Sequence, residues 1–525
     1  MHSNSSPTPT QSLLDEEENL IPSDDPNRPI PPTNGGGWTS AIFIIGVEIA
    51  ERFAYYGISS NLISYLTGQL GESTATAAAN VNAWSGVASL LPLLGAFVAD
   101  SWLGRYRTIV VASLLYILGL GLLTISSVIP SNGQLKVAYF FFSLYLVALA
   151  QGGHKPCVQA FGADQFDSHD PEECKSKSSF FNWWYFGMCG GTIVSVSIVN
   201  YVQDNNNWTL GFAVPCVSMM FALVIFLLGT RTYRHSVVLE DKGPFVRISQ
   251  VIVASMRRRQ EGNTYVADGA AKISDEQVEE AKGVLRLFPI WATCLIYAVV
   301  FAQCSTFFVK QGVTMDRLIG HDFKVPSATL QSFVSISVVA FIPIYDRILV
   351  PIIRNFTGIH SGLTLLQRIG TGMVLSMISM IVAALVEIKR LDTAREFGLI
   401  DKPNSTIPMR LWWLVPQYVL FGISDAFTMV GLQEFFYDQV PDGLRSLGLA
   451  LYLSIFGVGN FISSFIVSLI DRTTSCSGES WFSNNLNRAH LDYFYWLLAG
   501  LSAAELVIYI YFSNSYTYKK VTTLV

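Results

Sequence analysis

The chain has 525 residues, of which 51% are hydrophobic and only 14% charged, and its mean hydropathy is +0.39. Such values exclude an ordinary soluble domain, and a formal charge of -5 excludes the basic face that a nucleic-acid partner requires. The seven cysteines (Cys157, Cys174, Cys189, Cys216, Cys294, Cys304, Cys476) are scattered in a pattern that suggests neither a disulfide framework nor a metal knuckle, so no metal or cofactor is expected.

The first 37 residues are polar and acidic and lack the basic flank and apolar stretch of a secretory signal, so they read as a disordered cytosolic tail. Beyond them, apolar runs recur that can cross roughly 30 Å of hydrocarbon, each needing about 20 helical residues because backbone polar groups must be satisfied internally there. The pattern predicts about twelve transmembrane helices. They start near Trp38, Ala79, Thr108, Val137, Ser179 and Leu210 in the first half, and near Leu285, Ala328, Gln367, Leu411, Leu447 and Leu491 in the second. The expected fold class is an all-α membrane protein of two six-helix bundles, residues 38–231 and 284–516, with a polar cytosolic linker at 232–283 and a short cytosolic tail at 517–525.

Loop charge sets the orientation. No Lys or Arg occurs from Phe53 to Gly104 or from Ser178 to Thr230, whereas the alternate loops carry Arg105, Arg107, Lys175 and Lys177 and the linker carries Arg257, Arg258 and Arg259. The positive-inside rule therefore puts both termini and the linker in the cytosol. A basic stretch at Lys389, Arg390, Arg395 and Lys402 falls on an expected outer loop and runs against that pattern. Of the glycosylation triplets, those at Asn207 and Asn404 fall on expected outer loops and the one at Asn355 on an inner loop. Within the linker, Phe245, Ile248, Val251, Ile252 and Ser255 share a helical face beside the basic run. That suits a helix on the inner membrane surface, or one packed on the protein.

Two short echoes link the halves. Asp164-Gln165 and Asp438-Gln439 close the fourth span of each half, and Asp100 near Arg105 corresponds to Asp346-Arg347 at the end of the second span.

"GVEIAERFAYYG", Gly46 to Gly57, places Glu48, Glu51 and Arg52 inside the first apolar run. Glu48 is about ten residues in, roughly 15 Å along the helix, where an ionised group costs about 2.5 to 3.5 kcal/mol. Glu48, Glu51, Arg52 and Tyr55 stand at i, i+3, i+4 and i+7 and share one face, which should meet a protein-lined or watery interior. A second buried cation, Lys155, sits between a glycine pair and Pro156 in the fourth span, and Asp425 lies in the tenth. Acids and cations thus come from both halves, as a central solute site requires. A static ion network fixing helices 1 and 4 is the plainer reading, but buried ion pairs return little stability once desolvation is counted.

This motif resembles the ExxER motif of the proton-coupled oligopeptide transporter family, in its plant nitrate/peptide branch. "GAFVADSWLGRYR", "HKPCVQAFGADQFD", "YDRILVPIIRNFTG", "VPQYVLFGISDAF" and "EFFYDQVPDGLRSLG" resemble further signatures of that family, in order. The resemblance implies a major facilitator fold and cotransport of protons with small anionic or zwitterionic solutes such as nitrate, short peptides or hormone-like acids. It implies that Glu48, Glu51, Arg52 and Lys155 couple the proton, and that Arg52, Tyr55, Lys155, Phe301, Gln303 and Asp425 contact the solute. Asp100, Arg105, Asp346 and Arg347 fall in gating or structural motifs. Asp425 stands where many relatives have glutamate, and Phe301 where the family's best-known nitrate carrier has histidine. Thr108, after Arg105-Tyr106-Arg107, matches a basophilic kinase pattern.

In the tail, "EEENLI" sets Glu16 four residues ahead of Leu20 and Ile21. Sorting adaptors read this acidic dileucine pattern, which in plants favours the vacuolar membrane over the plasma membrane. A sensor that binds solute without net transport is the alternative function. An enzyme is not expected, because the seven histidines are dispersed and neither HExxH nor GxSxG occurs.

Overall fold

The computed structural model describes residues 35–129, 134–166, 170–205, 207–234, 283–320, 323–358, 363–440, 445–476 and 480–518. The dileucine signal and the linker helix fall outside these residues. In the described parts, the backbone closes its hydrogen bonds almost entirely within helices, as an apolar environment demands. Eleven of these helical segments are long and apolar enough to cross a membrane. The first expected span, α1 (Gly37–Ser59), has the length but not the apolarity, because it carries Glu48, Glu51 and Arg52.

After a break at Ser60 and Asn61, α1 continues as α2 (Leu62–Gly68). Next come α3 (Thr74–Val98), whose first turn is capped by the Ser73 hydroxyl, α4 (Arg105–Val128), α5 (Gln134–Ala163), α6 (Pro171–Asp204) and α7 (Trp208–Leu228). The seventh span is broken into α8 (Phe288–Ala292), α9 (Leu295–Phe301) and α10 (Phe307–Val313). The rest are α11 (Ser332–Ile344), α12 (Val350–Thr357), α13 (Leu365–Glu396), α14 (Val415–Asp438), α15 (Arg445–Ser475) and α16 (Leu491–Ser515). Two strand pairs accompany them: β1 (Met315–Asp316) runs parallel to β4 (Ile407–Arg410), and β2 (Leu318–Ile319) is antiparallel to β3 (Phe323–Lys324).

Both sequence echoes have counterparts in structure. Asp100 and Asp346 each hold the second position of a five-residue π-turn, Ala99–Leu103 and Tyr345–Leu349. Gln165 bonds to Arg234, just after the sixth span, and Gln439 accepts from the Tyr516 hydroxyl, just after the twelfth.

Helix α1 packs on α6 and α7, α3 and α4 on α5, and α13 on α14 and α16. The first-half helices meet those of the second half where α3 crosses α15 and α6 crosses α11. At the α3–α15 crossing, a Cβ on Gly86 would stand 3.0 Å from the Gly457 carbonyl oxygen, so glycine lets the two helices touch. One end of the molecule is tied across the halves. Arg317 pairs with Asp204 at 2.5 Å, Lys310 donates to the Thr67 hydroxyl at 3.1 Å, and Gln331 donates to the Ser60 carbonyl at 2.8 Å.

Candidate functional site

Helical spacing brings the ExxER side chains together as expected. Glu48, Glu51 and Arg52 are buried, at 2%, 0% and 5% exposure. Arg52 Nε lies 3.1 Å from Glu48 Oε1, and its Nη2 pairs with Glu51. From α4, the Tyr116 hydroxyl donates to Glu51 Oε1 at 3.4 Å. The guanidinium lies 5.7 Å from the centre of the Tyr55 ring, which stacks on Trp84. Trp84 is fixed in turn by its indole N–H, which donates to the Leu144 carbonyl at 3.0 Å.

Lys155 projects from α5 into electrostatic reach of Glu48, Glu51 and Arg52, yet among the described residues it forms no ion pair within 4 Å. The cluster therefore holds two acids, one paired cation and one cation in reserve. His154, beside it, is fully buried edge-on to Tyr116, and neither ring nitrogen has a hydrogen-bond partner.

In the second half, Asp425 Oδ1 accepts from the Tyr297 hydroxyl at 3.1 Å. Tyr297 stacks on Phe421, and Phe301 packs against Phe421 and Phe456, so the histidine position of the nitrate carrier is here part of an aromatic wall. Gln303 is fully buried and donates to the Val299 carbonyl at 2.7 Å and the Ser463 hydroxyl at 3.2 Å. Its amide is thus engaged with protein.

Tyr56 lies within electrostatic reach of both Arg52 and Asp425. Tyr185 and Cys189 of α6 and Tyr452 of α15 also lie within electrostatic reach of Asp425. Sequence reasoning singled out neither Tyr116 nor Tyr56, Tyr297, Tyr452 and Cys189, since a tyrosine in an apolar run looks like packing. Trp184, a neighbour of Tyr185, is buried against Phe180, whereas Trp183 is 57% exposed.

The remaining expected positions lie apart from this site. Arg105 pairs with Asp164 at 2.5 Å, and Arg347 is exposed; the side chains of Asp100 and Asp346 are outside the described set. Thr108 is buried and its hydroxyl donates to the Gly104 carbonyl at 2.9 Å, so a kinase would first have to open that turn of α4. Asn207 caps α7 by accepting from the Leu210 N–H at 3.1 Å, and Asn404 is exposed in a turn.

Arg390 corrects the loop-charge reading. It belongs to α13 rather than to a loop, and it is wholly buried against Glu387, so it is no part of an outer basic surface. No group of three or more metal-ligating side chains occurs among the described residues.

Apolar helices packed around buried charges, with a reserve cation among them, suit a membrane transporter of the major facilitator class. The model of the POT family matches residues 106–482. The chain is 61% identical to Protein NRT1/PTR family 5.10 of Arabidopsis thaliana, across 95% of this chain and 96% of that protein. It is 54% identical to Protein NRT1/PTR family 5.14 of the same plant, across 93% and 95%. Among solved structures, an auto-inhibited POT family peptide transporter shares the fold with a TM-score of 0.75 at 20% identity, covering 93% of this chain and 98% of that one.

The chain belongs to the POT family. It is a multi-pass membrane protein and a proton-coupled symporter of small solutes, a transporter and not an enzyme.

Proposed function

We propose that this symporter carries small zwitterions, solutes with both a carboxylate and an amine. The observation that carries the reading is that Tyr56 lies within electrostatic reach of both Arg52 and Asp425, while Lys155 lies within reach of Arg52. Two cations on one side suit a carboxylate, and one acid on the other suits an amine. Nitrate has no group for Asp425, and Phe301 offers it no charge. A POT family transporter in complex with 5-aminolevulinic acid, which has both groups, shares this fold at a TM-score of 0.67 and 18% identity, covering 90% of this chain and 96% of that one.

In the proposed cycle, Glu48 or Glu51 holds Arg52 when ionised and frees it when protonated. The freed guanidinium, with Lys155, then takes the solute's carboxylate, so proton and solute favour each other's binding. Neutralising the cluster permits the halves to rock about the site. The ties among Asp204, Arg317, Thr67 and Lys310 hold the two halves together at one end, which the loop charges assign to the outer side.

Full-length protein in proteoliposomes with an acid exterior should accumulate dialanine and 5-aminolevulinic acid in preference to nitrate. Glu51→Gln should abolish the acid stimulation while leaving solute exchange intact; a variant with the parent's pH dependence refutes the assignment. For location, we propose the vacuolar membrane, from Glu16, Leu20 and Ile21 and an adaptor that reads them. There the protein would return solute to the cytosol. Vacuolar labelling by a carboxyl-terminal fluorescent fusion that survives Leu20→Ala with Ile21→Ala rejects that signal.

A further inference from the structure

Glu505 lies inside α16 at 6% exposure and takes no part in the site described above. An acid inside an apolar helix is costly and calls for partners. Among the described residues no cation pairs with it, and the titratable group that faces it is the buried thiol of Cys294. Its carboxylate instead accepts the backbone N–H of Ile296 at 2.7 Å, and the N–H of Tyr297 also engages it.

Those two amides belong to the first turn of α9, just past the turn at Thr293 and Cys294 that interrupts the seventh span. A helix leaves its first-turn N–H groups without an internal acceptor, and in hydrocarbon no water can serve. Glu505 supplies the missing acceptor from a different helix. The residue after Ile296, Tyr297, is the one whose hydroxyl donates to Asp425 at 3.1 Å. Glu505 thus anchors the backbone beside Tyr297, one residue from the side chain that reaches the acid of the solute site.

We propose that Glu505 is a positioning residue of that site: by fastening the break in the seventh span it holds Tyr297 in register with Asp425. Its importance for transport rests on the reading of Asp425 as solute-facing, but the geometry is tested without any solute.

Two measurements on the purified full-length protein decide it. In hydrogen–deuterium exchange, the amides of Ile296 and Tyr297 should exchange as slowly as those inside α9, and Glu505→Ala should speed both more than tenfold. Glu505→Gln, which keeps an acceptor oxygen, should restore most of the protection. In carbodiimide labelling, which reads the proton occupancy of a buried carboxyl, Glu505→Ala should change the rate at Asp425 by about fivefold, the equivalent of one ordinary hydrogen bond. Tyr297→Phe should change it equally, and the double variant no further, because both act through one contact. Fast exchange at Ile296 and Tyr297 in the parent protein overturns the proposal, and that measurement stands even if Glu505→Ala fails to fold. An unchanged Asp425 rate in Glu505→Ala, or effects that multiply in the double variant, overturns it as well. Failure to carry dialanine would reject the zwitterion reading and leave these results untouched.

Discussion

Two buried arginines, each beside a glutamate of its own helix, are held in opposite ways. Arg390 on α13 is completely satisfied. Its Nε and Nη2 donate to the two oxygens of Glu387 at 2.8 and 2.5 Å, Nη1 donates to Thr314 and Asn487 at 3.1 and 3.0 Å, and Nη2 donates to the Leu486 carbonyl at 2.7 Å. Arg52 on α1 lies within ion-pair reach of two acids, yet its Nε and Nη2 make no aligned hydrogen bond, and Glu48 Oε2 and Glu51 Oε2 accept none. A complete set of bonds leaves nothing for a proton or solute to compete for. An incomplete set leaves lone pairs for a proton and donors for a carboxylate, so the under-satisfied pair is the one suited to switching.

The comparison is broken most directly by removing each guanidinium. Arg390→Ala leaves Glu387 buried without its counter-ion, and breaking such a pair costs about 3–5 kcal/mol. The expected outcome is little folded protein after detergent extraction and a strongly lowered melting temperature; a near-parental melt would show that the network around Arg390 is dispensable. Arg52→Ala removes a charge with poorly aligned bonds, so its melt should fall less than that of Arg390→Ala while acid-stimulated dialanine uptake disappears. Equal loss of stability in the two variants would erase the distinction between a fixed pair and a switching one.

What the sequence disclosed depended on contrast with the surroundings. Glu48, Glu51, Arg52, Lys155 and Asp425 were legible because each interrupts an apolar run, and helical spacing alone put the first three on one face. The expected span starts fall close to helices of the structure, as at Trp38 in α1 and Leu491 at the start of α16. Arg390 was misread because Lys389, Arg395 and Lys402 made a basic cluster that looked like a loop, whereas α13 runs on to Glu396 and sets Glu387 one turn before Arg390. The break in the seventh span falls at Thr293 and Cys294, which carry neither glycine nor proline to announce it. The two-residue and four-residue strands are too short to show an alternating pattern. Partners such as Tyr116 and Tyr297 depend on which helices touch, information that one chain's periodicity does not contain.

Those tyrosines sharpen the comparison at a finer scale. Tyr116 supplies Glu51 with an aligned donor, though at 3.4 Å a long one. Tyr116→Phe should therefore slow acid-driven dialanine uptake by about fivefold, near 1 kcal/mol, with the melting temperature almost unchanged. Tyr495 lies within electrostatic reach of Glu387, but its buried hydroxyl has no hydrogen-bond partner. Arg390 already satisfies that acid, so Tyr495→Phe removes a polar group that was buried without return. Its expected effect is the smallest: uptake unchanged and the melt shifted by no more than about 1 kcal/mol, in the stabilising direction. A clear loss of stability in Tyr495→Phe would mean that the Glu387–Arg390 network draws on this hydroxyl, and that the fixed pair is less self-sufficient than its bond lengths show.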